Sequence, residues 1–345
     1  MTVAGQVELT FTGEVVQTGN HINLSAVRTE GEHLWLAGDE TATIERLVLD
    51  SASAPTCGGQ QRSFALADLV DLPGPPDEEA DIEGIARAGD WLWATGSHSL
   101  ARRRVKPHHS EAKAVRRLAK VRRQANRFVI ARLAVEIGAD GRPEPVRKAA
   151  DGRRSAVLGD LADLLADDEH LAPFLAIPSK DNGLDVEGLA AHGESIYVGM
   201  RGPVLRGWAV VLEIRPVPDS ADPGRLVVGD HRKHFLDLGG LGVRDLCPDG
   251  DDLLVLAGPT MALSGPVRVY RWHGAATAET GRVVRDPELT VAATLPHGDG
   301  EDHPEGIALL AEPADARLLV VHDSPSPRRR PTAHSVLADR VVIPG

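Results

Sequence analysis

Residues 82–94 read IEGIARAGDWLWA: an apolar strand, a Gly-Asp turn and a second apolar strand. The pattern recurs at 24–36 (LSAVRTEGEHLWL), 186–198 (VEGLAAHGESIYV), 243–255 (VRDLCPDGDDLLV) and, in shorter form, at 304–310 (PEGIALL) before 318–321 (LLVV). Glycine followed by a polar residue between two apolar runs is typical of a hairpin, because such turns need a positive φ. The sequence therefore predicts five related hairpins.

Each hairpin is followed by further short apolar runs, such as 44–49 (IERLVL) and 208–214 (WAVVLEI). The fifth hairpin has one such run, at 339–343, and the stretch 7–15 near the other terminus can supply the strand that is missing. Four-stranded units in a ring, closed by a strand from the opposite terminus, define a β-propeller. We therefore expect an all-β fold that forms a single propeller domain over residues 1–345.

The number of blades follows from the spacing of one equivalent position in each hairpin. This position, called the anchor below, is occupied by Ser25, Glu83, Glu187, Arg244 and Glu305, at intervals of 58, 104, 57 and 61 residues. Three intervals fit one blade each, and the long interval fits one blade with insertions. Five blades are expected, and a sixth blade between residues 128 and 180 remains the alternative.

Composition describes a globular, acidic protein with one basic element. The chain has 345 residues, 42% of them hydrophobic and 26% charged, and a formal net charge of −12. Residues 102–127 contain eleven basic residues and one acid, so the remainder carries −22. We call residues 101–127 the basic insertion, and expect a helix in it from Ser110, a plausible N-cap. It is either a solvated helix or an arm that binds an anionic substrate, a nucleic acid or an acidic partner protein.

Several protein classes have no support in the sequence. Basic charge is not spread over the chain as in a general nucleic-acid binder, and no apolar run is long enough for a transmembrane helix. The first residues lack the pattern of a secretory signal, so a cytoplasmic location is the expectation. Motifs of P-loop NTPases, dinucleotide-binding domains, zincins and α/β-hydrolases are absent from the sequence.

In a propeller the innermost strands surround the central channel, so the anchors of different blades converge there although they lie far apart in the chain. Three anchors are glutamates, and Asp81 and Asp185 each lie two residues before one of them, on the same face of a strand. Loops between second and third strands reach the same end of the ring and add further polar residues. They contribute Asp39, His98, Arg201 and Asp323.

Several carboxylates near one axis repel each other unless a cation, protons or arginines offset their charge. We predict a site for Ca²⁺ or another divalent cation, which prefers oxygen ligands, formed by Asp81, Glu83, Asp185, Glu187 and Glu305. Such a cation activates water, so a metal-assisted hydrolase of an anionic, phosphorylated small molecule is the expected function. The predicted catalytic residues are His98, Glu83 and Glu187. The predicted ligand-binding residues are Arg201, Arg244, Ser25, Asp39 and Asp323.

The repeated Asp-x-Glu-Gly pattern also has a structural interpretation, since each blade faces the same packing problem. Its carboxylates would then accept backbone N–H bonds or pair with Arg201 and Arg244. In that case the protein is a non-catalytic scaffold that binds a partner or an anionic ligand through this end of the ring and through residues 102–127.

The motifs DIEGIA (81–86), GSHS (96–99), DVEGLA (185–190) and RGPVLRGWA (201–209) resemble a bacterial family known only as a domain of unknown function. The resemblance covers most of the chain and implies no particular activity. The Glu-Gly-Ile/Leu-Ala strands are also similar to those of phytase-like propellers with esterase-like activity. That second resemblance implies a propeller and a site that cleaves phosphoesters or esters, although Ser25 and Arg244 interrupt the acidic pattern in two blades.

Overall fold

The computed structural model describes residues 3–49, 56–310 and 318–343, which form an all-β structure. The strands in chain order are β1 (Val3–Thr10), β2 (Leu24–Glu30), β3 (His33–Gly38), β4 (Thr43–Leu49), β5 (Thr56–Ala65), β6 (Ile82–Ala88), β7 (Trp91–Gly96), β8 (Ala101–Arg102), β9 (Val121–Arg122), β10 (Ile130–Ile137), β11 (Pro143–Val146), β12 (Ala156–Leu158), β13 (Asp185–His192), β14 (Ser195–Gly202), β15 (Trp208–Pro218), β16 (Leu226–Asp237), β17 (Gly242–Asp249), β18 (Asp252–Gly258), β19 (Val267–Trp272), β20 (Val283–Val284), β21 (Leu289–Leu295), β22 (His303–Leu309), β23 (Leu318–Asp323) and β24 (Ser335–Val341). The helices are α1 (Glu14–Gln17), α2 (Leu66–Leu69), α3 (Glu111–Leu118) and α4 (Leu161–Leu165), with 3-10 turns at Asn20–Ile22, Ala125–Arg127, Ala172–Phe174, Ser179–Asp181, Ala275–Thr277 and Pro327–Arg329. Among these described helices, none has the length and apolar character needed to cross a bilayer.

The strands form five blades, which confirms the predicted propeller and its blade number. Blade 1 is β2-β3-β4-β5, blade 2 is β6-β7-β10 with an outer edge divided between β11 and β12, blade 3 is β13-β14-β15-β16, blade 4 is β17-β18-β19-β21, and blade 5 is β22-β23-β24-β1. The alternative of a sixth blade is wrong, because the described strands between residues 128 and 180 all belong to blade 2.

The ring closes as predicted, through a strand from the N-terminal part of the chain. Strand β1 pairs antiparallel with β24, with a register that runs from Val3 opposite Val341 to Thr10 opposite Ser335. The closing strand covers residues 3–10, slightly earlier than the predicted stretch 7–15, because residues 14–17 form α1 instead. Backbone hydrogen bonds within blade 5 thus join the N-terminal and C-terminal parts of the propeller.

The core consists of apolar residues packed between neighbouring blades. Five clusters of buried residues each join a different pair of adjacent blades. The repeated aromatic residues Trp35, Trp93 and Tyr197 belong to them, with only 0%, 6% and 2% of their surface exposed. Large flat side chains suit this interface because they fill the space between two twisted sheets. The hairpin turns are also as expected, since Gly31, for example, has a φ of 58°.

The basic insertion leaves blade 2 between β7 and β10. Its strands β8 and β9 pair antiparallel, and α3 begins directly after Ser110, as predicted. The loops that enter the innermost strands and the loops between second and third strands lie at one end of the ring, called the top face below. The basic insertion starts from that face.

Candidate functional site

Each of the five anchor residues lies in a β-bulge of an innermost strand. Strands β2, β6, β13, β17 and β22 pair with the next strand of their blade, and each pairing shifts register at the anchor. A bulge adds one unpaired residue to a strand and turns its side chain away from the regular alternation. The glycine after each glutamate fits this geometry: a Cβ on Gly84 would lie 2.7 Å from the Cβ of Leu189 in blade 3. Five equivalent bulges therefore direct the anchors towards the axis of the ring.

The top face holds ten neighbouring charged side chains, four of them anchors, which are called the central cluster below. Its members are Asp39, Asp81, Glu83, Asp185, Glu187, Glu305, Asp323, Arg127, Arg201 and Arg244. Asp81, Asp185, Glu187 and Arg201 are buried, and the others are partly exposed. The central cluster thus combines a buried part with a part that solvent and a ligand can reach.

Arg201 lies at the buried side of the central cluster and forms ion pairs with Asp185 and Glu187. Burial opposes its charged form, but the two carboxylates outweigh burial and raise the pKa of Arg201. Burial also raises the pKa of Asp185, to about 6, against the attraction of Arg201. The predicted ligand-binding residue Arg201 is therefore already held by two carboxylates on β13 of its own blade.

Arg244 connects the anchors of three blades. Its Nη1 lies 2.6 Å from Glu305 Oε1 and 3.2 Å from Glu187 Oε2, and its Nη2 donates a hydrogen bond of 3.0 Å to the carbonyl of Pro259. Glu187 Oε2 is buried and makes no hydrogen bond with the described residues, so the 3.2 Å contact is an ion pair only. Arg244 is partly exposed, which makes it the more accessible of the two predicted anion-binding arginines.

Arg127, the last residue of the basic insertion, is a third guanidinium in the central cluster. Its Nη1 lies 2.7 Å from Asp81 Oδ2, and its Nη2 pairs with Glu79. Burial raises the pKa of Asp81, and the attraction of Arg127 partly opposes that effect. This residue was not predicted as part of the site, because its position in a basic run gives no sign that it differs from its exposed neighbours.

Glu83 stands out because the described residues offer its carboxylate no ion pair or hydrogen bond. Burial and the negative charges of Asp81 and Glu187, with further repulsion from Glu305 and Asp39, raise the pKa of Glu83 well above its ordinary value. A carboxylate that is surrounded by others and lacks a cationic partner is stabilised by a proton or by a bound cation.

A second strongly acidic part of the central cluster involves blades 1 and 5. Burial, together with repulsion by Asp323, Asp81 and Glu305, raises the pKa of Asp39 to about 8. Burial likewise raises the pKa of Glu305 to about 8, where repulsion by Asp323 adds to burial and Arg244 opposes it. Asp39 Oδ1 is buried without a hydrogen-bond partner among the described residues. These acids are poised to exchange protons near neutral pH.

Ser25 and His98 have surroundings different from those of the charged residues. The Ser25 hydroxyl is buried and donates to the carbonyl of Ile82, so it links blades 1 and 2. His98 is 1% exposed; its Nδ1 accepts a 3.3 Å hydrogen bond from the Leu161 amide, and its Nε2 has no partner within the described ranges. The Asp160 carboxylate oxygen Oδ1 lies 3.8 Å from the same Nδ1.

Strained backbone occurs beside the central cluster. Seven non-glycine residues of the described top-face loops have positive φ, and the four in blades 2 and 5 are Asp81 (52°), His98 (49°), Asp302 (55°) and Ser324 (50°). They occupy matching places in blades 2 and 5, before the innermost strand and after the second strand. Such conformations cost energy and are concentrated at functional sites. The strain therefore favours a functional role for this face.

Beneath the anchors a buried ion pair occupies the axis of the ring. The Arg28 guanidinium forms two hydrogen bonds to Asp245, of 2.9 and 2.7 Å, and also donates to the carbonyls of Leu189 and Ile307 at 2.7 and 2.6 Å. These residues lie one to three positions after the anchors of four blades. Two residues of a β-strand span about 7 Å, so the ion pair lies that far along the inner strands from the anchors. This axial ion pair fills the channel below the central cluster and was not predicted from the sequence.

The predicted metal site is present as a set of neighbouring residues, but arginines contact several of its members. Asp185 and Glu187 pair with Arg201, and Asp81 pairs with Arg127. Within residues 3–49, 56–310 and 318–343, no group of three or more His, Cys, Asp or Glu side chains has the geometry of a preformed metal site. Metal binding stays a prediction, with Glu83, Asp39 and Asp323 as the cluster carboxylates that no arginine contacts in the described structure, and with Glu305, which Arg244 contacts through Oε1 only.

The fold and the central cluster define a five-bladed β-propeller with an acidic charge cluster at its top face. The chain belongs to the family described as "Protein of unknown function (DUF3616)", whose model matches residues 23–339. No curated protein matches the chain.

Solved structures with a similar fold have low sequence identity to this chain. The glutaminyl cyclase of Myxococcus xanthus is 11% identical, with 99% of this chain and 98% of that chain covered and a TM-score of 0.43. Hydrazine synthase of Kuenenia stuttgartiensis is 11% identical, with 91% and 59% covered and a TM-score of 0.37. The β-propeller domain of Cps50 (Swd1) from Myceliophteria thermophila is 10% identical, with 92% and 84% covered and a TM-score of 0.31. None of the three supplies a function for this chain.

Proposed function

We propose that the central cluster binds a divalent cation and that the protein is a cation-dependent hydrolase of a small anionic, phosphorylated molecule. The observation that carries the proposal is an imbalance of charge. Seven carboxylates face three guanidiniums, so the fully ionised cluster has a charge of −4. Paired structural clusters balance their charges, whereas this one leaves Glu83 without a cationic partner.

A divalent cation fits this imbalance better than protons alone do. Burial in the first place, and repulsion by neighbouring carboxylates in the second, raise the pKa values of Asp39 and Glu305 to about 8, which favours their protonated forms in the absence of a cation. Ca²⁺ prefers six to eight oxygen ligands, and carboxylates that lose their protons can supply them. Glu83, Glu305, Asp39 and Asp323 would hold the ion. When bound, such an ion activates water and polarises a phosphoryl oxygen.

The same imbalance favours an anionic substrate only when the cation is present. A cluster with a charge of −4 repels an anion, and a divalent ion reverses that effect locally. Arg244 is proposed to hold the anionic group, since it is partly exposed and its planar donor fork lies between the anchors of blades 3 and 5. His98 is proposed to transfer a proton through Nε2, the ring nitrogen without a partner in the described structure.

Hydrolysis of bis(p-nitrophenyl) phosphate and p-nitrophenyl phosphate by the metal-stripped protein, with and without millimolar Ca²⁺, Mg²⁺ or Mn²⁺, tests the proposal. We expect turnover only with metal, and a decrease of about 10²-fold or more in Glu83→Gln and in His98→Asn. Glu194→Gln is the matched control, because the Glu194 side chain is 84% exposed and lies in the hairpin turn at the other end of blade 3. Equal rates with and without metal, or an unaffected Glu83→Gln variant, would reject the proposal.

A non-catalytic interaction scaffold is the second candidate function, and the basic insertion favours it. Its helix α3 has no buried residue, and Val115 and Leu118 are 62% and 52% exposed. A propeller whose only role is docking should keep its partner binding in Glu83→Gln and lose it when residues 102–127 are deleted. The opposite result would reject the scaffold as the sole function.

A further inference from the structure

The basic insertion carries far more positive charge than the structure neutralises. Three of its eleven basic residues pair with carboxylates: Arg102 with Asp181, Arg123 with Asp160, and Arg127 with Asp81. The other eight have no carboxylate partner among the described residues. They are Arg103, Arg104, Lys106, Lys113, Arg116, Arg117, Lys120 and Arg122.

The three ion pairs lie near the two ends of the basic insertion and fix it to the top face. Arg102 Nη2 and Arg123 Nη2 each lie 2.7 Å from their carboxylate, on segments between blades 2 and 3. The Arg123 guanidinium also covers the ring of Phe128 at 3.5 Å. The middle of the basic insertion, from Arg103 to Arg122, therefore projects from an anchored base, and most of its charged side chains are exposed, with Arg103 and Arg117 half-buried.

Exposed apolar side chains lie among these unneutralised charges. Ten large hydrophobic residues of the described structure are exposed, and three of them fall within seven positions: Val115 (62%), Leu118 (52%) and Val121 (40%). Val115 and Leu118 are three residues apart in α3 and so lie on one face of the helix. Isolated exposed apolar residues are ordinary, but a group of them ringed by like charges marks an interaction surface.

Apolar and cationic groups on one small surface select the chemistry of a partner. We propose that the basic insertion is a docking surface for an acidic amphipathic segment of a partner protein, whose apolar side chains cover Val115 and Leu118. Its carboxylates pair with the flanking cations Lys113, Arg116 and Arg122. This inference is independent of the chemistry of the central cluster.

Two other polyanions match the surface less well. The phosphates of a nucleic-acid backbone would pair with the cations, but the backbone has no apolar group to cover the exposed pair Val115 and Leu118. An anionic membrane satisfies both groups, but its broad surface would also face the rest of the chain, which carries −22. A single protein segment is narrow enough to contact the projecting part of the basic insertion without approaching the acidic body.

The test measures binding of four probes to the full-length protein by fluorescence anisotropy at about 0.15 M salt. The probes are a helical Glu/Leu peptide with leucines on one face, a peptide of identical composition with the leucines scattered, a DNA duplex, and vesicles of phosphatidylserine and phosphatidylcholine. We expect the amphipathic peptide to bind at least about tenfold more tightly than the scattered one, and more tightly than DNA or vesicles.

Variants show whether the proposed surface is responsible. Val115→Ser with Leu118→Ser should remove the preference for the amphipathic peptide, and Arg116→Glu should weaken its binding about tenfold. Ile137→Ser is the matched control, because Ile137 is 69% exposed on the same blade but lies outside the basic insertion. Unchanged melting temperatures of all variants show that the fold is intact. Equal binding of the two peptides, tighter binding of DNA or vesicles, no binding of the peptide, or binding that survives the double substitution would each overturn the proposal.

Discussion

The axial ion pair and the central cluster lie on the same innermost strands, a few residues apart, but differ in how their charges are balanced. In the axial ion pair one guanidinium meets one carboxylate, and backbone carbonyls accept from both Nη atoms of Arg28. Asp245 in turn accepts from the amides of Leu246 and Ile307, at 2.7 and 2.8 Å. In the central cluster carboxylates exceed guanidiniums by four, and Glu83 has no partner in the described structure.

The comparison distinguishes two roles of buried charged residues on the innermost strands. A charge-matched pair whose two Nη atoms and two carboxylate oxygens are all hydrogen-bonded can hold the inner strands together, and nothing further is needed to neutralise it. An unmatched cluster must hold protons or bind something positive, which makes it the better candidate for a functional site. Substitutions in the two regions should therefore change stability in opposite directions.

The largest expected effect follows from breaking the axial ion pair. Arg28→Met leaves Asp245 buried without its cation, and should lower the free energy of unfolding by about 3–5 kcal/mol in chemical denaturation. Arg28→Met combined with Asp245→Leu should recover part of the loss, because no unpaired charge remains. Arg215→Met is the control, since the Arg215 side chain is 47% exposed. A loss below about 1 kcal/mol in Arg28→Met would show that the axial ion pair does not hold the ring together.

The next effect is a dependence of stability on pH that arises in the central cluster. The folded-state pKa values of Asp39 and Glu305 are raised to about 8, and that of Asp185 to about 6. A carboxyl group whose pKa is raised on folding favours the folded state while it is protonated. This contribution is complete below the ordinary pKa and is lost as the pH rises through the pKa of the folded state. Without metal, the free energy of unfolding should fall by about 3–4 kcal/mol from pH 5 to pH 8, which is the effect of one such acid. A flat profile in a metal-free buffer would contradict the raised values.

A smaller effect is expected from Glu83→Gln, and its sign is opposite to that of Arg28→Met. The amide resembles a protonated acid and removes repulsion with Asp81, Glu187 and Glu305. The melting temperature at pH 8 without metal should rise by about 2–4 °C, roughly 1 kcal/mol. Glu194→Gln should leave it unchanged. A decrease in Glu83→Gln would mean that the carboxylate has a stabilising partner and that the proposed imbalance is absent.

The smallest effect on stability is expected in the basic insertion. Val115→Ser and Leu118→Ser replace exposed side chains, so each should change the free energy of unfolding by less than about 0.5 kcal/mol. The measurement is urea denaturation of each variant beside the unsubstituted protein. A loss above about 1 kcal/mol would show that α3 packs on the body of the propeller rather than projecting from it.

The sequence predicted the fold well because the fold is repetitive. Each hairpin carries the same glycine turn and apolar runs, so five weak signals support one another, and the blade number follows from the spacing of the anchors. The long interval was ambiguous because blade 2 divides its outer edge between β11 and β12 and contains the basic insertion. The position of the anchors at the axis was also accessible, since equivalent residues of a ring converge.

Partners of individual charges could not be predicted in the same way. Arg28 follows an anchor by three residues and looks like an ordinary polar strand residue, yet it pairs with Asp245 across the channel. Arg127 belongs to a basic run but reaches Asp81, whereas Ser25 occupies an anchor position but hydrogen-bonds to Ile82. These contacts depend on the bulges and on side-chain directions across blades, which one sequence does not reveal. The repeated Glu-Gly dipeptide was the only local sign of the bulges.

Thermal unfolding at pH 7.5 with chelator and with millimolar Ca²⁺, Mg²⁺ or Mn²⁺, compared between the unsubstituted protein and Glu83→Gln, tests the central claim most directly. A cation that binds only the folded state at a hundredfold excess over its Kd adds about 2.7 kcal/mol to stability. The account predicts a rise in melting temperature of several degrees with at least one of these ions, and its loss in Glu83→Gln. No shift with any of the three ions, or an equal shift in both proteins, would contradict it.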